Sequence, residues 1–252
     1  IMVDGPDSAL TMTANTQPAL MAFSMAVVRV LEKDFGIKLK EKAAFVAGHS
    51  LGEYSAACSA GVFSLSDTAK LLRIRGDAMQ NAVPLGVGGM AAVLGLSYKD
   101  VGALVEACSN DKDVCVAAND NSDGQVVLSG SMTAIDRAVE IAAEFGARKC
   151  VKLAVSAPFH SPFMRPAADA MARAFMDVKA HDAEIPLVAN VLAEPITDHK
   201  EIIKHLIEQV TGTVRWRETM AYLQEQGVTD LVELGAGKVL SGIAKRSHKE
   251  MN

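Results

Sequence analysis

The 252-residue chain lacks several features that would assign it to a specialised class of protein. It has no apolar run near the ~20 residues that a membrane-spanning helix needs, and no signal-peptide pattern. Its formal net charge of −5 gives none of the basic excess of a nucleic-acid-binding protein. Repeats and low-complexity segments are also missing. What remains is 50% hydrophobic and 22% charged, which is typical of a soluble globular enzyme with a sizeable core.

The four cysteines, Cys58, Cys108, Cys115 and Cys150, lie far apart and have no metal-ligand spacing. Because nothing indicates secretion, we interpret them as reduced core thiols and expect a cytoplasmic protein. We expect no metal and no other cofactor.

The most informative segment is Gly48-His49-Ser50-Leu51-Gly52, which stands between an apolar run (43–47) and a helical pattern (53–58). Gly-x-Ser-x-Gly between a strand and a helix is the nucleophile elbow. The tight turn favours glycine at both flanking positions and exposes the Ser50 hydroxyl. The Leu51 N–H, at the helix start, can help to hold an oxyanion. An ordinary glycine-flanked turn is the alternative, and the context favours Ser50 as a nucleophile.

Strands alternate with helices along most of the chain, and each strand is apolar throughout, which predicts a parallel sheet covered on both faces. Within residues 85–156 the order is instead β-α-β-β-α-β, the ferredoxin-like arrangement. We therefore predict an α/β fold: an α/β-hydrolase-like parallel-sheet core from residues 1–84 and 157–252, with an inserted ferredoxin-like subdomain at 85–156. Core strands are expected at 43–47, 185–191 and 230–234.

A serine hydroxyl needs a base to take its proton. His160 lies in a loop (156–162) stiffened by two prolines, which lowers the entropic cost of holding a ring in place. It is the predicted base, and a buried structural histidine is the alternative. No acidic residue completes a triad, so the acceptor for its second nitrogen need not be a carboxylate. We expect His49 to pack beside the elbow, and the remaining histidines to be solvated: His181, His199, His205 and His248.

Two arginines, Arg73 and Arg75, stand two residues apart in a predicted helix and so point to different faces. With Ile74 and Met79 around them, one must enter a cleft or pair with an acid. A buried guanidinium near Ser50 suggests a substrate carboxylate held by a bidentate ion pair. An internal salt bridge is the alternative.

Five motifs then occur in order along essentially the whole chain, and together they resemble the malonyl-CoA:acyl carrier protein transacylases of fatty acid synthesis. They are Thr16-Gln17-Pro18-Ala19-Leu20, Gly48-His49-Ser50-Leu51-Gly52-Glu53-Tyr54-Ser55, Arg75-Gly76, Asn121-Ser122 with Gly124-Gln125-Val126-Val127, and Gly235-Ala236-Gly237-Lys238-Val239-Leu240.

The resemblance implies that Ser50 is acylated with His160 as its partner, and that Arg75 holds the malonyl carboxylate. It further implies that Gln209 orients His160 through its main-chain carbonyl and that Gln17 lines the pocket. The implied reaction is a ping-pong transfer of malonyl from malonyl-CoA to the phosphopantetheine thiol of an acyl carrier protein, these two being substrates and partners. We expect a monomer, with no nucleic-acid or membrane partner.

The chain departs from the family at its start, since it opens on Ile1 and lacks the family's first strand and Gly-Gln-Gly-Ser-Gln turn. We expect that an N-terminal segment is missing from this sequence. The turn is expected to supply a second oxyanion donor, and one such donor is typically worth ~10²–10³ in rate. The alternatives left open are a serine esterase or thioesterase, an acyltransferase domain of a polyketide or fatty acid synthase, and a non-catalytic module.

Overall fold

A computed structural model describes residues 1–155, 157–248 and 250–252 of the chain. None of the helices in these ranges combines the length and the apolar character required to cross a membrane. The helices are α1 (Asp7–Leu10), α2 (Thr13–Phe35), α3 (Leu39–Lys42), α4 (Leu51–Ser59), α5 (Leu65–Gln80), α6 (Tyr98–Cys108), α7 (Met132–Ile141), α8 (Arg165–Phe175), α9 (His199–Gln209), α10 (Trp216–Glu225) and α11 (Val239–Ser247). The strands are β1 (Val46–Ala47), β2 (Gly88–Leu94), β3 (Cys115–Ser122), β4 (Gln125–Ser131), β5 (Lys149–Lys152), β6 (Leu187–Val188) and β7 (Pro195–Ile196).

The first sheet is short and mixed, with the order β1-β6-β7. β1 runs parallel to β6, and β7 pairs antiparallel with β6. The two predicted strands at 43–47 and 185–191 are present but shrink to two residues each. The predicted strand at 230–234 is wrong, because that segment joins no ladder of the described residues and Val232 is 77% exposed. An apolar pattern makes a strand only where a neighbouring backbone accepts its hydrogen bonds.

The second sheet is antiparallel and has the order β3-β4-β2-β5. Its elements follow one another as β2-α6-β3-β4-α7-β5, and α6 and α7 pack against the strands. An apolar cluster of its own fills the space between them, with Val93, Leu104, Leu128 and Ile135 fully buried. This apolar cluster is separate from the one that surrounds the first sheet.

Edge strand β3 connects the second sheet to the loop before α10. The Asp120 N–H donates to the Val214 carbonyl and the Val214 N–H to the Ala118 carbonyl, both at 2.9 Å. The Asp120 carboxylate, which is fully buried, also pairs with Arg217 at 2.8 Å. These bonds hold the end of β3 beside the first sheet, at the side where β1 leads into α4.

Helices α2 and α5 cross in close contact at Gly76. A Cβ at this position would lie 2.6 Å from the Ala14 Cα, so only glycine permits the approach. α5 begins after the N-cap residue Ser64, whose Oγ accepts the Asp67 N–H at 3.0 Å. The crossing brings Arg75 of α5 against Gln17 of α2 in the interior.

Candidate active site

Ser50 occupies the turn between β1 and α4 with φ 54° and ψ −112°, a conformation that residues other than glycine rarely adopt. A Cβ at Gly48 would lie 2.0 Å from the Gly52 carbonyl oxygen, so glycine is required there. A Cβ at Gly52 would meet nothing within 4 Å beyond its own helix backbone and chain neighbours. The expectation that both flanking positions demand glycine is therefore right for Gly48 and wrong for Gly52.

The Ser50 hydroxyl and the His160 ring meet, although 110 residues separate them in the chain. Ser50 Oγ lies 2.8 Å from His160 Nε2, and His160 Nδ1 lies 2.8 Å from the main-chain carbonyl oxygen of Gln209. A carbonyl only accepts, so Nδ1 carries the proton and Nε2 offers its lone pair to the Ser50 hydroxyl. The acceptor behind the ring is thus a carbonyl rather than an acid, in the position expected for Gln209.

Burial and the nearby charge of Arg75 lower the pKa of His160 to about 3. The ring is 4% exposed, so an imidazolium there would lose nearly all its hydration. At neutral pH the ring is neutral, which is the form that can take a proton from Ser50.

Arg75 is 1% exposed and faces Ser50, whereas Arg73 lies on the surface and pairs with Asp77. Arg75 Nη2 donates to Ser50 Oγ at 3.1 Å and to Gln209 Oε1 at 2.7 Å, and Arg75 Nη1 donates to Gln17 Oε1 at 2.7 Å. Among the described residues no carboxylate lies within salt-bridge distance of it, and its Nε has no acceptor. The internal salt bridge considered above is therefore not formed; the partners of this buried cation are neutral.

Two residues of this cluster were not predicted as site residues, Asn190 and Glu53. Asn190 Oδ1 accepts the Ser50 N–H at 2.8 Å, and Asn190 Nδ2 donates to the Gly48 carbonyl at 2.7 Å. Glu53 Oε2 accepts from Gln209 Nε2 at 2.7 Å and from the Asn190 main-chain N–H at 3.2 Å. Glu53 belongs to one of the quoted motifs, so the sequence contained a pattern that could have indicated it as a site residue. Asn190 lies at the end of an apolar segment, and no sequence pattern indicates a role for it.

Burial raises the pKa of Glu53 to about 7, and its hydrogen bonds from Gln209 and Asn190 hold the pKa below the value that burial alone would give. The carboxyl is 1% exposed, and its other oxygen has no partner among the described residues.

Among the remaining predictions for single residues, the one for His49 agrees with the structure and the one for His205 does not. His49 packs beside the elbow as expected, 5.6 Å from the Trp216 ring and with Nε2 2.8 Å from Asn121 Oδ1. Leu51 is the first residue of α4, where an N–H has no acceptor within its own helix. His205 was expected on the surface but is 6% exposed, because Glu201 and Glu208 cover it and hold its two nitrogens.

A cavity of about 390 Å³ has Thr16 and Phe159, the chain neighbours of Gln17 and His160, in its wall, but Ser50, Arg75 and His160 do not line it. Elsewhere in the described ranges, potential metal ligands converge at Asp182, Asp198 and His199. That cluster is on the surface, and Asp182 already accepts from His199 at 2.6 Å.

The chain belongs to the acyl transferase domain family, whose model matches residues 1–252. It is 39% identical over 251 residues to the malonyl CoA-acyl carrier protein transacylase of Bacillus subtilis, covering 100% of this chain and 78% of that protein.

Solved structures agree with this assignment. The acyl-carrier-protein S-malonyltransferase of Bartonella henselae superposes with a TM-score of 0.95 at 53% identity, covering 99% of this chain and 79% of that one. A malonyl-transacylase in complex with its type II polyketide synthase (PKS) acyl-carrier protein gives 0.93 at 37% identity, covering 98% and 79%.

Proposed function

We propose that this protein transfers the malonyl group of malonyl-CoA to the phosphopantetheine thiol of an acyl carrier protein, through a malonyl ester of Ser50. The observation that carries the proposal is the double contact of Ser50 Oγ, with a neutral imidazole on one side and a buried guanidinium on the other. The first contact supplies a base, and the second supplies a site for a carboxylate. The names of the relatives point to the same donor and acceptor.

The first half-reaction acylates Ser50. His160 Nε2 takes the hydroxyl proton as Oγ attacks the thioester carbonyl, and the Gln209 carbonyl stabilises the Nδ1–H of the imidazolium that forms. The oxyanion develops next to the Leu51 N–H at the start of α4. When the tetrahedral intermediate collapses, the C–S bond breaks, and the CoA thiolate takes the proton from His160.

The second half-reaction runs in reverse with a different thiol. His160 removes the proton of the phosphopantetheine thiol, the sulfur attacks the ester carbonyl, and the proton then returns to Ser50 Oγ as the ester bond breaks. The reaction balances without an added oxidant, reductant or metal, so malonyl-CoA and the phosphopantetheinylated carrier protein are the only reactants that it requires.

Arg75 binds the free carboxylate of the malonyl group in this mechanism. Its present acceptors are the neutral oxygens of Gln17 and Gln209 and the hydroxyl of Ser50. A carboxylate makes a stronger, charge-assisted pair with a guanidinium than these groups do, and the Nε–H is still without a protein acceptor among the described residues. Gln17 then holds the guanidinium plane in place from α2.

Covalent labelling tests the proposal. Malonyl-CoA is expected to add one malonyl group per chain, seen by intact mass, and the label is expected to move to a phosphopantetheinylated carrier protein when that is added. Ser50→Ala removes the nucleophile and is expected to remain unlabelled. A label that persists in Ser50→Ala, or a wild-type label that only hydrolyses, would contradict the proposal, the second result favouring a serine esterase or thioesterase.

We also propose that the chain consists of two units, a ferredoxin-like subdomain inserted into an α/β-hydrolase-like one. The strand order β3-β4-β2-β5 with two helices and a core of its own supports a ferredoxin-like subdomain at 85–156. The parallel pair β1-β6 beside the elbow supports an α/β-hydrolase-like unit from 1–84 and 157–252. The roles given above to Ser50, His160, Gln209, Arg75, Gln17 and Leu51 follow from this arrangement.

A further inference from the structure

Glu53 is a buried carboxyl that has no role in the mechanism above. It is the third residue of α4 after Ser50, the position at which a glutamate commonly turns back to accept the N–H of the helix's capping residue. Here the Ser50 N–H donates to Asn190 Oδ1 instead, and Glu53 points into the interior. No cation lies within salt-bridge distance of it in the described part of the chain. Burying a carboxyl without a cation is costly, so a local helix cap does not account for it.

One of its two donors is the side chain of Gln209. That amide has a direction: its oxygen accepts from Arg75, and its nitrogen donates to Glu53 and, at 2.9 Å, to the Ser50 carbonyl. A flipped amide would set its NH₂ against the Arg75 N–H and its oxygen against the Glu53 carboxyl, with both contacts repulsive. Glu53 therefore acts together with Arg75 and the Ser50 carbonyl to fix the orientation of the Gln209 amide. The same residue holds His160 through its main-chain carbonyl.

The other donor is the main-chain N–H of Asn190. The side chain of this asparagine spans the turn, accepting the Ser50 N–H and donating to the Gly48 carbonyl. The Ser50 backbone lies at φ 54°, a region that persists only when surrounding contacts hold it. By accepting the Asn190 N–H, Glu53 helps to hold Asn190 in the position from which its side chain stabilises the Ser50 turn.

We propose that Glu53 is a positioning residue, which holds Gln209 and Asn190 and through them aligns His160, Arg75 and Ser50. The inference deepens the proposed function and rests on it. What Glu53 supplies is an acceptor oxygen at one place, shared by two N–H donors from segments that lie 137 and 156 residues away in the chain.

Three variants test the acceptor directly by single-turnover acylation, recorded as the rate constant per labelled site with malonyl-CoA and with acetyl-CoA. Glu53→Ala leaves both donors unsatisfied and is expected to slow acylation by about 10- to 100-fold with either acyl group, as misplacement of reacting groups does. Glu53→Gln keeps a carbonyl oxygen for the same two donors and is expected to restore most of the rate. Glu53→Asp keeps the charge but withdraws the oxygen, and is expected to be slower than Glu53→Gln.

Glu233→Ala is the matched control. The Glu233 carboxylate likewise accepts two main-chain N–H groups, of Leu240 at 3.1 Å and Ser241 at 2.8 Å, in the first turn of α11. Its loss is expected to lower the melting temperature while leaving the acylation rate constant per labelled site at the wild-type value.

Three results would overturn the inference. The first is a Glu53→Ala protein with a normal rate constant per labelled site and only a smaller fraction of active molecules. The second is a Glu53→Gln variant that is acylated no faster than Glu53→Asp. The third is a loss of rate confined to malonyl-CoA, because His160 serves both acyl groups. Absence of labelling in the wild-type protein would instead overturn the proposed function, and the inference with it.

Discussion

The two sheets of this protein differ in what holds them. In the four-stranded sheet, three strands are seven or eight residues long, and continuous ladders and an apolar cluster define the geometry. In the three-stranded sheet each strand has two residues, yet this sheet leads into the elbow. The groups around Ser50 are held instead by hydrogen bonds that side chains at most 4% exposed make with one another and with the main chain: Gln17, Glu53, Arg75, His160, Asn190 and Gln209.

The difference teaches that order at the candidate site comes from hydrogen bonds between buried polar groups in a low-dielectric interior, where each bond is strong and each loss is costly. A ladder spreads its stability over many equivalent bonds, whereas a polar network concentrates it in a few side chains. Changes in the network are therefore expected to alter the chemistry first, and changes in the ladder region to alter stability first.

The largest effect is expected from His160→Asn. His160 has φ 55°, a left-handed conformation in which asparagine is the best-tolerated residue after glycine, so the loop is expected to keep its shape. Losing the base is expected to slow Ser50 acylation by about 10²–10⁴-fold. The rate is followed by intact mass with malonyl-CoA, and a melting temperature close to that of the wild type serves as the control. A loss below about tenfold would assign the base to another group.

The next largest effect is expected from Arg75→Ala. Removing one member of a buried charge pair costs about 3–4 kcal/mol, so malonyl transfer is expected to fall by about 10²–10³-fold. Acetyl transfer, which offers no carboxylate, is expected to fall much less. The ratio of kcat/KM for malonyl-CoA to that for acetyl-CoA is the measurement. Equal losses for both substrates would show that Arg75 supports the fold of the pocket and does not recognise charge.

How far the sequence predicts this site depends on whether a residue carries a local pattern. Ser50, Arg75 and His160 stand in a turn motif, on a helix face and in a proline-stiffened loop, and each could be selected by the physical chemistry of its surroundings. Gln17 and Gln209 came only from the resemblance to a family. The pairing of Asn190 with Glu53 spans 137 residues, and no local pattern predicts such a contact.

The fold shows the same limit. The N-caps at Ser64 and Ser97 and the end of α2 at Gly36 depend on neighbouring residues alone, so a local sequence pattern is enough to indicate them. The predicted strand at 230–234 failed and β7 was missed, because a strand exists only where another segment pairs with it.

On the other side of the comparison, Leu128→Ala in β4 is expected to lower the free energy of unfolding by roughly 3 kcal/mol, since it leaves a cavity in a fully buried cluster. Urea titration measures this change. The acylation rate constant per labelled site is expected to stay at the wild-type value, because Leu128 lies in the separate core of the second sheet. A fall of tenfold or more in that rate constant would erase the distinction between the two regions.

The smallest effect is expected from pH. A histidine with the ordinary pKa of 6.5 would lose about 30-fold in its neutral fraction between pH 8 and pH 5. With its pKa lowered to about 3 by burial and by Arg75, His160 stays neutral throughout that range. The single-turnover acylation rate is therefore expected to change less than about twofold over it, with the acid limb only below about pH 4. Glu53, whose pKa burial raises to about 7, becomes protonated within this range but keeps an acceptor oxygen for Gln209 and Asn190, as Glu53→Gln does. An inflection near pH 6.5 that disappears in His160→Asn would show that the ring is solvated during the reaction.

The neutral surroundings of Arg75 have a consequence for the lifetime of the acylated protein. With only amide and hydroxyl oxygens against it, the guanidinium of the empty pocket is a cation lacking a counter-ion in direct contact. In the proposed reaction, an acyl chain that ends in a carboxylate supplies such a direct contact for the guanidinium, and an acetyl group does not. We therefore expect a malonyl ester of Ser50 to be hydrolysed more slowly than an acetyl ester, because only the malonyl group is held at its far end by Arg75.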